Sequence, residues 1–160
     1  MKERRTFKAF GYVCGVAVTM LSLAGGVLAH HGVTGQYDAA TPIVLSGIVT
    51  DATFSPPHPV ITVQVDAPEL PPFEVGRPAE YFGPSVVRTE DVGEVRKIEL
   101  SPVRMFYDLA DRLSVGDRVV VVALRNCLPP HQLRSSWVRL EDGAVVSYTG
   151  DWAPGIDGCS

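Results

Sequence analysis

Short stretches in which apolar and polar residues alternate, separated by proline and glycine, run through most of this chain and predict a β-rich domain. Ile61, Val63 and Val65 alternate with Thr62, Gln64 and Asp66, the period of a strand with one buried face. Ile43 to Phe54 reads as a longer strand with Gly47 inside it, and an internal glycine marks a bend or bulge. Arg118 to Leu124 is almost wholly apolar, as a central strand requires. Trp137 to Leu140 and Ala144 to Tyr148 flank Glu141-Asp142-Gly143, a hairpin signal, while Val95 to Leu100 is a weaker strand. Helical spacing occurs once. Val103, Phe106, Tyr107, Ala110 and Leu113 follow Ser101-Pro102, with serine as N-cap and proline in the first turn, where its missing N–H costs nothing. Ser114-Val115-Gly116-Asp117 then turns the chain out of the helix.

Strand, strand, weak strand, helix, strand and hairpin, in that order, predict a mainly β fold. The best match is a small five- or six-stranded antiparallel barrel, OB-like (the oligonucleotide/oligosaccharide-binding type), with one short helix between the third and fourth strands. A β-sandwich is the alternative. Ala67 to Pro84 carries Pro68, Pro71, Pro72, Pro78 and Pro84 and reads as an irregular surface excursion.

The first 29 residues follow a different pattern. Lys2, Arg4, Arg5 and Lys8 precede an apolar stretch from Ala9 to about Leu23, and small residues end at Val27-Leu28-Ala29, the layout of a secretory signal peptide. Ala9 to Ala29 is also about the length a bilayer needs, so an uncleaved anchor is the alternative, although Gly11, Gly15, Gly25 and Gly26 dilute its hydrophobicity. Arg4-Arg5-Thr6-Phe7-Lys8 partly resembles a twin-arginine signal, which leaves both export routes open. Cys14 follows Gly11-Tyr12-Val13, which does not resemble a lipoprotein processing site. The expectation is a periplasmic or secreted protein whose single domain spans residues 30–160, with no stable membrane insertion after cleavage.

Cleavage changes the charge. Of 14 basic and 18 acidic residues, Lys2, Arg4, Arg5, Lys8 and Glu3 leave with the signal, so 10 basic residues face 17 acidic ones, a net of −7. Such a domain repels a phosphate backbone, which argues against nucleic acid, and attracts cations. Cys127 and Cys159 remain, 32 positions apart. In an oxidising compartment they can pair, contributing about 3 to 4 kcal/mol under the chain-entropy account; thiolate ligation of a metal is the alternative.

All four histidines, His30, His31, His58 and His131, fall outside the strand runs. A cut after Ala29 leaves His30 first, with a free amine and an imidazole able to chelate one metal ion. An α-amine has a pKa of about 7.7 to 8.0, so a metal displaces its proton readily at neutral pH. His58 lies in Ser55-Pro56-Pro57-His58-Pro59 and His131 in Cys127-Leu128-Pro129-Pro130-His131. Flanking prolines restrict the backbone and lower the entropy lost when the imidazole is held. Loops at one end of a small barrel can converge, so His58 or His131 could complete a T-shaped set of three nitrogens with His30, and His31 stands beside them. Nitrogen donors in that arrangement favour Cu(II), with zinc second. Tyr37-Asp38 offers an axial or supporting oxygen, or else Asp38 opens a turn before Ala39-Ala40-Thr41-Pro42. No nucleophile elbow, phosphate loop or His-Glu-x-x-His run is present.

His30-His31-Gly32, Tyr37-Asp38, Val44-Leu45-Ser46-Gly47-Ile48-Val49, Pro57-His58 and Gly116-Asp117-Arg118-Val119 together resemble a family of small exported bacterial proteins of unknown function. The resemblance covers about three quarters of the mature chain and implies export and a barrel-like β fold, without an activity. The family's Asn-Pro-His turn is Pro56-Pro57-His58 here, and the proline-rich excursion and Val86 to Lys97 look inserted.

Three readings follow. The leading one is a periplasmic metal-binding protein, copper first and zinc second, for carriage, buffering or delivery through His30, His58 and His31 or His131. The alternative is a non-catalytic module that docks on a periplasmic or inner-membrane protein. The third is a small oxidative copper enzyme resembling the terminal-histidine polysaccharide oxygenases, for which 131 mature residues are few and Trp137 and Trp152 form no evident flat face.

Overall fold

The computed structural model describes residues 37–66, 85–148 and 158–159. All of them belong to the unit Val33–Ser160. Six strands are present: β1 Tyr37–Thr53, β2 Val60–Val65, β3 Val95–Leu100, β4 Arg118–Asn126, β5 Leu133–Arg139 and β6 Val145–Ser147. The α-helix, α1, is Arg104–Tyr107 and continues as a 3-10 turn over Asp108–Asp111. β1 pairs with β2 and β4, β2 with β3, and β4 with β5, all antiparallel. A seam between Ile98–Leu100 and Leu133–Ser135 closes these five strands into a ring, and β6 adds to β5.

That seam is parallel, where wholly antiparallel pairing was the expectation. The reason is topological: five strands in a closed ring cannot alternate in direction all the way round, so one junction must be parallel. The OB-like reading otherwise holds, including the helix between β3 and β4.

β1 is long because two neighbours share it. Its middle, Ile43–Ile48, pairs with β4, and its second half, from Gly47, pairs with β2, so Gly47 stands opposite both Val119 and Val65. A Cβ at Gly47 would lie 1.9 Å from the Gln64 carbonyl oxygen, a backbone atom with no room to retreat. A bulge between Val49 and Asp51 completes the bend anticipated from the internal glycine.

Inward-facing Leu45, Val49, Ile61, Val63, Ile98, Leu100, Val121 and Val138 fill the ring, and Phe106 and Leu109 join them in one core. The helix that supplies Phe106 is shorter than the spacing predicts, and Ser101 does not cap it. Val103 takes the N-cap position, with no side-chain cap bond. Ser101 is wholly buried, and its N–H donates to Ser135 O, which extends the β3–β5 seam by one residue.

A second cluster lies on the outer face, where Val44, Val122 and Trp137 pack with Val87 and Val120. The segment after the proline-rich excursion covers it. Val44 N–H donates to Val86 O and Val86 N–H donates to Pro42 O, each at 2.8 Å. Asp91, 1% exposed, fixes this return: Arg88 grips it with two bonds of 2.7 Å and Arg96 of β3 with a third. Two guanidiniums therefore offset the cost of burying one carboxylate. The excursion itself, 67–84, lies outside the described residues.

At the end of the barrel formed by the close of β2 and the start of β4, Arg118 holds Asp66 through two bonds of 2.9 and 2.7 Å. These hydrogen bonds, reinforced by the guanidinium charge, hold the Asp66 carboxyl below its ordinary value of 3.8.

Gly47→Ala is expected to destabilise the domain by about 3 kcal/mol or more, because the new methyl overlaps backbone, read as a lowered midpoint in chemical denaturation. For Arg118→Ala the sign follows from the depressed Asp66 value. The ion pair contributes stability above the unfolded carboxyl pKa and loses it as pH falls through the folded one. The wild-type advantage over Arg118→Ala should therefore be greatest above about pH 5 and vanish in stronger acid, as denaturation at a series of pH values will record.

Candidate functional site

Two loops carrying Pro-Pro-His lie at one end of the barrel. The β1–β2 loop leads from Thr53 to Val60 and the β4–β5 loop from Asn126 to Leu133. Each contains a cis Pro-Pro peptide, Pro56-Pro57 and Pro129-Pro130. Register explains why they share an end: Val60, the first residue of β2, stands opposite Glu99, and Glu99 stands beside Arg134, the second residue of β5.

His58 is partly enclosed, 21% exposed, and its Nδ1 lies 2.5 Å from Glu99 Oε1. The other Glu99 oxygen accepts a hydrogen bond from Gln132 Nε2, on the β4–β5 loop. Tyr107 of α1 donates its hydroxyl proton to Pro57 O at 2.9 Å, tying the β1–β2 loop to the helix. The loop is thus held from both sides of its histidine.

His131 is held differently. Among the described residues it is the one non-glycine with positive φ, +58°, a conformation that costs a side-chain-bearing residue free energy and that concentrates at functional sites. Its N–H donates to Leu128 O, and its Nδ1 lies 3.0 Å from Asn126 O. Asn126 organises the whole turn: its N–H donates to Gln132 O and its side-chain oxygen accepts Leu128 N–H. The imidazole itself is exposed.

The two loops meet through Glu99 and Gln132, while the His131 ring turns onto its own loop. Among the described residues no three His, Cys, Asp or Glu side chains are gathered around one point. His30 and His31 lie outside the described residues. Tyr37, the first residue of β1, pairs with Asn126 at the foot of the β4–β5 loop. Asp38 opens a turn: its carboxylate accepts the Thr41 N–H at 3.1 Å and the Thr41 hydroxyl at 2.6 Å.

Cys127 and Cys159 form a disulfide, with Cα atoms 5.3 Å apart. In this state neither sulfur is a thiolate, so the metal-ligand alternative for these cysteines gives way. The bond accompanies a close approach of Gly158 to β1. A Cβ added at Gly158 would lie 3.0 Å from Ala40 Cβ and 3.2 Å from Asp38 Oδ1.

Glu99, Gln132 and Asn126 were not anticipated as site residues. Alternation alone marks Glu99 as an outward-facing position between Ile98 and Leu100. Only the pairing of β3 with both β2 and β5 shows that its outward side is where two loops converge. Around the same face, Ile48, Thr62, Gln64 and Lys97 alternate with core residues. No helix among the described residues is long and apolar enough to cross a membrane.

No protein-family model, curated protein or solved structure matches this chain. The family resemblance therefore rests on the motifs quoted above.

Reducing the Cys127–Cys159 bond should lower stability by about 3 to 4 kcal/mol, the entropy returned to the unfolded chain, measured as the difference between denaturation curves with and without reductant.

Proposed function

We propose that this is an exported metal-binding protein, with Cu(II) the preferred ion and zinc the second, that carries, buffers or delivers the metal. One observation carries the reading: His58 and His131, on adjacent loops, each have Nδ1 engaged by an acceptor, the Glu99 carboxylate and the Asn126 carbonyl. Metal-ligating histidines characteristically donate one ring N–H to a carboxylate or backbone carbonyl, which leaves Nε2 with its lone pair outward. Copper and zinc both accept imidazole nitrogen, the donor type that these two loops carry.

His30 supplies the amine and a further imidazole. The resemblance to small exported proteins with a mature His-His start agrees with this assignment and supports a periplasmic or secreted location.

Native protein isolated from the periplasm should start at His30, or at His31 under a cut one residue later, and carry near-stoichiometric copper or zinc, by intact-mass and elemental analysis. In competition titrations it should hold Cu(II) at least about tenfold more tightly than a His-His-Gly peptide, and His58→Ala should remove most of that margin. Metal-free native protein that binds copper no better than the peptide overturns the proposal.

A further inference from the structure

The two carboxylate oxygens of Glu99 serve two different loops at this end of the barrel, Oε1 facing His58 Nδ1 and Oε2 accepting from Gln132. We infer that Glu99 is the positioning residue of the metal site: it selects the His58 tautomer that presents Nε2 to a metal, and it ties that histidine to the loop carrying His131. The inference rests on the metal-binding reading.

An ionised carboxylate has only acceptor capacity, so the proton in the 2.5 Å contact belongs to His58 Nδ1. In the neutral imidazole that contact leaves Nε2 as the nitrogen with the free lone pair. Rotation of the ring is opposed as well, because turning it breaks a bond to a carboxylate that is itself only 15% exposed and fixed by strand pairing on both sides. Gln132 extends the same restraint across the ring seam. It immediately follows His131, and its carbonyl accepts the Asn126 N–H, so the carboxylate that orients His58 also anchors the turn that shapes His131.

Charge adds to geometry. A carboxylate behind an imidazole raises its basicity toward a cation, which a neutral acceptor does less well. Glu99→Ala should therefore lose both orientation and charge. Glu99→Gln keeps an oxygen able to accept from Nδ1 and loses only the charge.

The test uses the full mature protein. Nitrogen NMR of the metal-free protein should show His58 protonated at Nδ1, redistributed toward Nε2 in Glu99→Ala and retained in Glu99→Gln. Cu(II) affinity should fall about 10- to 100-fold in Glu99→Ala and less in Glu99→Gln, with an altered electron paramagnetic resonance signature of the bound copper. Thermal unfolding of each variant checks that the barrel is intact, and Glu99→Gln carries the test if Glu99→Ala does not fold. Wild-type His58 protonated at Nε2 overturns the inference. So does wild-type copper affinity in Glu99→Ala when His58→Ala is weakened. Copper binding by the wild type no tighter than that of a His-His-Gly peptide overturns the underlying metal reading, and the metal-free NMR result separates that failure from an error about Glu99.

Discussion

At Gly47 two strands come closer than any side chain allows. With the Gln64 carbonyl 1.9 Å from where a Cβ would stand, β1 can pass from its partnership with β4 to its partnership with β2 without leaving the sheet. The rest of the architecture follows from that passage. One strand serving both halves lets five strands close on themselves, and closure forces the parallel junction of β3 with β5. That junction brings the starts of β2 and β5 to either side of Glu99, and with them the two histidine loops. A missing methyl group at one point thus decides which chemistry can meet some distance away.

The loops are stiffened by means other than burial. His58 is framed by prolines, by the Tyr107 hydroxyl on Pro57 and by Glu99. His131 is framed by a turn in which Asn126 supplies its N–H, its carbonyl and its side-chain oxygen to three separate bonds. Backbone restraint and local hydrogen bonds thereby hold polar, solvent-accessible side chains in place, a task the hydrophobic core cannot perform for groups that must remain wet. The acidic surplus of the chain, 18 acidic against 14 basic residues, favours a cation at such a surface.

Much of this architecture was legible in the sequence, and the exceptions have physical causes. Strict alternation in Ile61–Val65 and the apolar run of β4 identified strands because their buried faces are purely apolar. Gly143 and Gly116 took the positive φ that their turn contexts imply. The first half of β5 was hidden because Arg134, Ser135 and Ser136 are buried though polar; the Ser135 hydroxyl is satisfied by donating to Val122 O and accepting Trp137 N–H across a bulge. The first residues of β1 were hidden because the Asp38–Thr41 turn interrupts their period. For the site, residue type and framing prolines singled out His58 and His131, whereas Glu99 and Asn126 act through pairings between segments distant in the chain, which no local pattern encodes.

The anchoring on β1 on either side of the proline-rich excursion has one further consequence. Asp66 N–H binds Ser46 O, and Val86 binds Pro42 and Val44, so the chain leaves and rejoins the barrel within a few residues along a single strand edge. The closure entropy of a loop rises only slowly with its length once its ends are pinned. The closure term therefore depends far more on where the chain is tied than on how many residues lie between the ties. With both knots kept, an insertion or deletion between them costs little closure entropy, an allowance for variation written into the fold by two neighbouring ties to one strand.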